Sequence, residues 1–562
     1  MDLRKAYINF RIPPRDYLLR FVLPAIAGAL VGIGLLVSTY PDMSPILIAL
    51  ISGIPVVITL YVALYPAIVW QRRGRAIDEE MHLFITRMGV ITSQEIPRMS
   101  FVELLKEMEE YEDMGREVGK IFHLVRTWRL NLSAAAKQVS EQTPSPVLAD
   151  FLRRFAFAIE GGESESEFFA HEQDAVLDEY EIRYEGVLRD MDIIKEIFIA
   201  MITASMFIIA IVAFIPILTG KSVTTLMALG IFLFTVIEGG FLYIVSSSMP
   251  LERVWQRTGI KNAAERHIER ALVASLGVMT LLIALLVGLA MTDLGVALGF
   301  LDYRSWPFLV ALAITPLAAP GYVAIVEEER IRRREDNFPA FIRTLGSTAE
   351  AKSIAAVTAL RKLTRHDFGP LTRNIVSLSR RLSTSIDARI SWRHFGAETG
   401  SDLIAKFSDM YVEGFRAGGR SRTTATLISR NFVRILGLRK KRYQSAAEMT
   451  GVLFGIMVAI SFAMYTTVEV LDRVQRMYQE IQQPIPMESV RVLNYAFFSE
   501  TLMAGIILSL VVSHAFISAL MLRIMGGGHK AGALIHFVGL VWVAAIVSVI
   551  VARMMDFLMP GI

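Results

Sequence analysis

The chain has 562 residues, 53% hydrophobic and 20% charged, with a mean hydropathy of +0.47, no cysteine and a formal net charge of +4. Soluble globular chains are about 45–50% apolar and about 25% charged; here the apolar surplus is gathered into blocks, which predicts an integral membrane protein. The missing cysteine excludes disulfides, cysteine-ligated zinc, iron–sulfur clusters and a thiol nucleophile.

A bilayer core needs about 20 apolar residues in a helix, and nine stretches qualify: 18–38, 44–70, 194–218, 223–247, 271–292, 304–326, 448–471, 497–522 and 531–558. The first, from Leu18, follows a basic leader and is long enough to span, so it reads as a span and not as a cleavable signal. Two inserts, 71–193 and 327–447, hold much of the polar remainder. The predicted domains are therefore a tail with two spans (1–70), a first helical domain (71–193), four spans (194–326), a second helical domain (327–447) and three spans (448–562).

Short-loop lysines and arginines set the orientation. Eleven fall on the side of the N-terminus, loop 248–270 and loop 523–530; four, Lys221, Arg473, Arg476 and Arg491, fall on the other. Both inserts share the richer side, which places them and the N-terminus in the cytoplasm, with the C-terminus outside at the plasma membrane.

Within the inserts the pattern is helical. Glu103 to Gly119 spaces Leu104, Leu105, Met108 and Val118 as one helix face, and 121–139 does the same with Ile121, Leu124, Val125, Trp128 and Leu132. Thr143-Pro144-Ser145-Pro146 ends one helix and starts another. The expected fold is all-α: a polytopic membrane protein with nine transmembrane helices and two cytoplasmic helical-bundle domains of about 100–120 residues.

The two domains read as a duplication. Ile77 to Gly89 aligns with Arg334 to Gly346 at an offset of 257, with Phe84/Phe341, Ile85/Ile342 and Gly89/Gly346 identical. The same offset sets Glu141 on Glu398, and the interhelix turn Gly161-Gly162-x-Ser164 on Gly418-Gly419-x-Ser421.

These features resemble the type II secretion F family, the polytopic platform proteins of type IV pilus-like machines. The resemblance rests on the paired acidic leads into an apolar helix (Asp78 to Gly89, Glu335 to Gly346), the Gly-Gly turn in each copy and the long apolar helix after it. The ending Gly526-Gly527-Gly528-His529-Lys530 through Gly532 to His536 is most similar to the archaellar branch of that family. The resemblance implies a non-enzymatic platform without cofactors, working with a cytoplasmic hexameric secretion-type ATPase, archaellin- or pilin-like filament subunits and other motor proteins. It also fits a homodimer.

Enzyme motifs fail on their spacing. Gly220-Lys221-Ser222 ends like a phosphate-binding loop, but Ile215 stands where its first glycine belongs. Gly161-Gly162-Glu163 superficially resembles a cyclic-dinucleotide synthase signature, but its repeat mate carries Arg420. The nine histidines, among them His82, His123 and His171, show no metal-ligand spacing.

Charges inside spans carry more information, because burying them in lipid is costly without a partner. Glu238 lies deep in the fourth span, Glu500 near the outer end of the eighth and His514 near its centre. Arg553 and Asp556 are three apart in the last span and are expected to pair. These groups read as span or dimer packing, or as a polar groove for another membrane segment.

The inserts carry opposite charge: 15 basic against 25 acidic residues in 71–193, and 24 against 12 in 327–447. The copies therefore face different partners, dock on each other, or meet anionic lipid through the basic one. The expected partner contacts are Arg416, Arg420, Arg422, Arg439, Lys440, Lys441 and Arg442 in the basic copy, and Glu163, Glu165 and Glu167 in the acidic one. Nucleic acid fits poorly, since the arginines are not interleaved with stacking aromatics. A secondary transporter or channel of two parallel repeats is the alternative; a sensor has too little external chain, 469–496 and short turns, for a sensory domain.

Overall fold

The computed structural model describes the chain apart from residues 1–5, 8–9, 11, 40–44, 93–111, 220–222, 251–252, 298, 301, 352–355, 417–419, 483–499 and 559–562. Residues 103–111 of the expected first amphipathic helix, Arg491, Gly418 and Gly419 lie outside the described residues, as does the side chain of Glu500. The described chain is helical, its β-pairing confined to one isolated bridge between Trp255 and Ser401.

Seven described helices are long and apolar enough to cross a membrane, matching seven of the nine expected spans. The other two, 44–70 and 194–218, run along helices with residues outside the described side chains. Many span side chains are exposed, Leu30 at 67%, Val273 at 72% and Leu281 at 69% among them. Apolar surface on that scale suits lipid better than water.

The chain divides into two compact units, Met1–Tyr180 and Glu181–Ile562. In the first, α1 (Leu23–Thr39) packs on α2 (Pro45–Thr92), and the Tyr17 hydroxyl donates to Val62 O at 2.7 Å. Three short helices follow: α3 (Glu112–Arg126), α4 (Leu132–Gln142) and α5 (Pro146–Glu160). Phe84, Phe151, Phe155, Phe168 and Phe169 form their aromatic core. The expected single helix over 121–139 is broken, because Arg129 adopts φ +53° and Asn131 caps α4 through Ala134 N; Trp128, expected on the buried face, is 75% exposed. Thr143 to Pro146 does separate two helices, with the Ser145 hydroxyl oxygen accepting from Leu148 N at 2.8 Å and pairing with Asp78. Glycine is required at Gly74, where a Cβ would come within 2.4 Å of Pro144 O.

Helix α6 (Glu165–Thr219) leads into the second unit, which continues with α7 (Val223–Ser248), α8 (Ala263–Ala290) and α9 (Trp306–Ile314). Next come α10 (Ala318–Ala351), α11 (Ala356–Leu363), α12 (Thr372–Ser383), α13 (Ala388–Thr399) and α14 (Asp402–Arg416). The unit closes with α15 (Ser421–Gln482), α16 (Glu500–Gly526) and α17 (Ala533–Leu558). At 62 residues α15 is about 90 Å long, one rod joining insert and spans. A core of Phe198, Met227, Leu453, Met457, Ile507, Val511 and Leu540 binds α6, α7, α15, α16 and α17.

The two inserts share local detail. Ser385 (φ +61°) stands 256 residues after Arg129, as Asp387 (capping α13) does after Asn131, and as Thr399-x-Ser401 does after Thr143-x-Ser145. Ser401 repeats the work of Ser145: it accepts from Ile404 N at 3.1 Å and donates to Glu335 at 2.6 Å. Glu335 stands 257 after Asp78, so the offset of 257 serves the leading helices and drops to 256 beyond them. At the spacing of 256 Glu141 falls on Ala397, where the offset of 257 sets it on Glu398; Gly418 and Gly419, the expected mates of Gly161 and Gly162, lie outside the described residues.

Candidate functional site

Three polar clusters in the second unit join its parts. The first ties the second insert to the loop between α7 and α8. Glu335, fully buried on α10, accepts from Arg439 Nη1 at 2.9 Å and from the Ser401 hydroxyl. Arg439 Nη2 donates to Arg253 O at 2.9 Å, while Gln256 N donates to Gly400 O at 3.0 Å and Asp402 N to Val254 O at 3.1 Å. A buried charge pair satisfied on several sides holds one geometry firmly, because losing a partner strands the other charge.

The second cluster explains the glycine-rich ending. Glu328 on α10 accepts from Arg523 Nη2 and from His529 N, each at 2.5 Å, and from Trp255 Nε1 at 3.1 Å. Arg442 caps the end of α16, Nε donating to Met525 O at 2.7 Å and Nη2 to Ile524 O at 3.0 Å. Gly527 turns the chain at φ +67°, and a Cβ on Gly528 would sit 2.0 Å from Arg523 Nη2. Burial holds the His529 pKa below its usual value against the pull of Glu328. Its Nδ1 accepts from Ala531 N at 3.1 Å, which requires the neutral ring.

Deep among the spans lies the third. Glu238 on α7 and His514 on α16, expected as separate intramembrane groups, meet through Oε1 and Nδ1 with no exposure of either side chain. Their outward atoms, Glu238 Oε2 and His514 Nε2, have no partner among the described residues.

At the opposite ends of these spans, Arg304 pairs with Glu469 at 2.8 Å beside a cavity of about 340 Å³ lined by Tyr303, Tyr465 and Arg553. The expected Arg553–Asp556 pair does not form: Asp556 binds Arg473 at 2.8 Å, reached from α15, and Arg553 is exposed.

Opposite charge brings the two insert-exit helices together inside this unit. Glu181 pairs with Arg434 at 3.1 Å, Glu185 with Lys441 at 2.5 Å and Lys195 with Glu448 at 3.5 Å. Lys441 lowers the Glu185 pKa.

Of the expected partner contacts, Arg416, Arg420, Arg422 and Glu167 are exposed, and Glu163 and Glu165 half-buried. Lys440 is exposed and paired with Asp336. Arg439 and Arg442 are each 3% exposed and act inside the protein, because their guanidinium groups are taken by Glu335 and by helix-end carbonyls. Gly161 and Gly162 form the expected turn, Gly162 at φ +85°. Sequence reasoning missed Glu328, Ser401 and Arg523, and singled out Glu335 only as the start of the second acidic lead; the Thr-x-Ser repeat was the available signal for Ser401.

Apolar rods of membrane length carrying a helical insert fastened to span loops define a polytopic membrane protein. Residues 84–216 match the family Type II secretion system (T2SS), protein F. The chain is 33% identical over 541 residues to flagella accessory protein J of Methanocaldococcus jannaschii, covering 96% of this chain and 95% of that one. It is 32% identical over 556 residues to flagella accessory protein J of Methanococcus voltae, covering 98% of each. The chain therefore belongs to the flagella accessory protein J family. No solved structure gives a significant match.

Proposed function

We propose that this protein is the membrane platform of an archaellum or related type IV pilus-like filament, built from two copies of one insert-and-span unit with nine spans. The inserts and N-terminus are cytoplasmic and the C-terminus is outside. A cytoplasmic hexameric ATPase acts on the exposed arginines of the second insert, and the spans pass filament subunits from lipid to the growing base. The chain catalyses nothing itself; it transmits force.

The observation that carries this reading is the Arg439–Glu335–Ser401 clasp, by which an insert displaced by a partner pulls on the loop between α7 and α8. Helix α15 supplies a second, rigid route. Charge reversal at Arg416, Arg420 and Arg422 is expected to weaken ATPase co-purification in a salt-sensitive way. Unchanged recovery at low salt overturns the docking surface. Normal filament assembly in a strain lacking the protein overturns the platform reading.

A further inference from the structure

The left-handed corner shared by the two inserts displays apolar side chains to the outside. In the second insert residues 383–390 form an unbroken exposed run from the end of α12 into the first turn of α13, with Ile386 42% and Ile390 53% exposed. Arg380 and Arg389 flank them, and neither makes an ion pair among the described residues. In the first insert the same corner carries Trp128, 75% exposed, beside Arg129. Large apolar groups rimmed by arginine are what a helical protein places at a lipid interface, where rings and alkyl chains enter the acyl boundary and cations meet phosphate.

The second corner is tied to membrane level. Arg393, one turn along α13 from Arg389, donates to Thr258 O at 3.1 Å. Thr258 N in turn donates to the Gln256 side chain, whose amide donates to Glu265 at 3.3 Å. Glu265 lies six residues before the apolar run of α8, about 9 Å along the helix axis. That height lies just beyond the headgroup layer, which adds roughly 5–8 Å to each side of the hydrocarbon core, so long arginine side chains at the corner reach back into it.

We propose that the corner Ser383–Ile390 of the second insert rests on the membrane surface, with Ile386 and Ile390 in the acyl boundary and Arg380 and Arg389 on anionic phospholipid headgroups. The contact rests on the platform reading's placement of the inserts beside one leaflet. It would hold the insert against the bilayer until a partner lifts it.

Because the chain has no native cysteine, Ile386→Cys gives a single labelling site. The test uses the full-length protein, alone, labelled with an environment-sensitive fluorophore in nanodiscs of phosphatidylcholine with or without phosphatidylglycerol. In anionic discs the label is expected to shift to the blue and to be quenched about twofold more by headgroup-spin-labelled lipid, and R380E with R389E is expected to abolish the gain. Thr384→Cys provides the same readout if replacing the isoleucine disturbs the corner. Aqueous emission in both discs, or quenching independent of lipid charge, overturns the proposal. With no ATPase present, such a result leaves the platform reading standing, whereas failed filament assembly by itself leaves lipid contact intact.

Discussion

Glu238 and His514, 276 residues apart in the chain, share a hydrogen bond with both side chains fully buried between α7 and α16. The pair fastens two spans in a setting where neither group finds water, so its members are interdependent.

Replacing Glu238 by leucine strands the histidine and is expected to cost about 3 kcal/mol of stability. The double replacement E238L/H514L removes both polar groups and is expected to recover most of that loss. Thermal unfolding in detergent of the two singles and the double measures the coupling. Equal, additive losses would show that the two groups do not work as a pair.

Breaking the clasp at Arg439 is expected to act on the joint. R439M leaves Glu335 buried with one cation fewer, a loss of about 3–5 kcal/mol. Limited proteolysis should then cut faster in the loop around Arg253, whose carbonyl loses its donor. R439K keeps the charge but not the fork to both Glu335 and Arg253, and should fall between.

The glycines of the ending act through Arg523. A methyl group on Gly528 collides with the guanidinium that Glu328 holds, so G528A is expected to destabilise the α16–α17 hairpin by about 1–3 kcal/mol. Shortening the arginine (R523A) together with G528A should relieve the clash while exposing the loss of the Glu328 pair. Comparing melting temperatures of the single and double variants separates the two effects.

His529 makes this hairpin sensitive to acid. Its folded pKa is depressed, so the unfolded chain binds the proton first as pH falls below about 6.5. Stability is full above that value and declines through it toward the depressed folded pKa. Melting curves between about pH 7.5 and about pH 5 should show the decline in the native protein and a flatter profile in H529N.

The Glu185–Lys441 pair is exposed, and its hold should fade with salt. Cysteines introduced at Asp192 and Ser445, whose side chains meet at 3.3 Å on the same two helices and leave the pair intact, are expected to crosslink efficiently at low ionic strength, and less so at high. As the Glu185 pKa is lowered, the attraction is present through neutral pH and is lost only when acid reaches that depressed value.

The sequence by itself determined the class of the protein. Blocks of about 20 apolar residues define membrane helices because hydrocarbon leaves backbone groups no other partner, and opposite charge in the two inserts is a matter of counting. Pro144 and Pro146 marked a helix boundary because proline lacks the amide that a continuing helix needs. Only the tertiary structure decided what the charges do. Arg439 and Arg442 read as a surface run beside Lys440 and Lys441, yet successive positions on a helix point about 100° apart, so two of the four turn inward to Glu335 and to the end of α16. Glu238 and His514 each looked costly in isolation; their pairing depends on how α7 lies against α16, which no local pattern records. The break at Arg129 was hidden for the same reason, since a helical spacing of apolar residues does not reveal where a capping asparagine ends it.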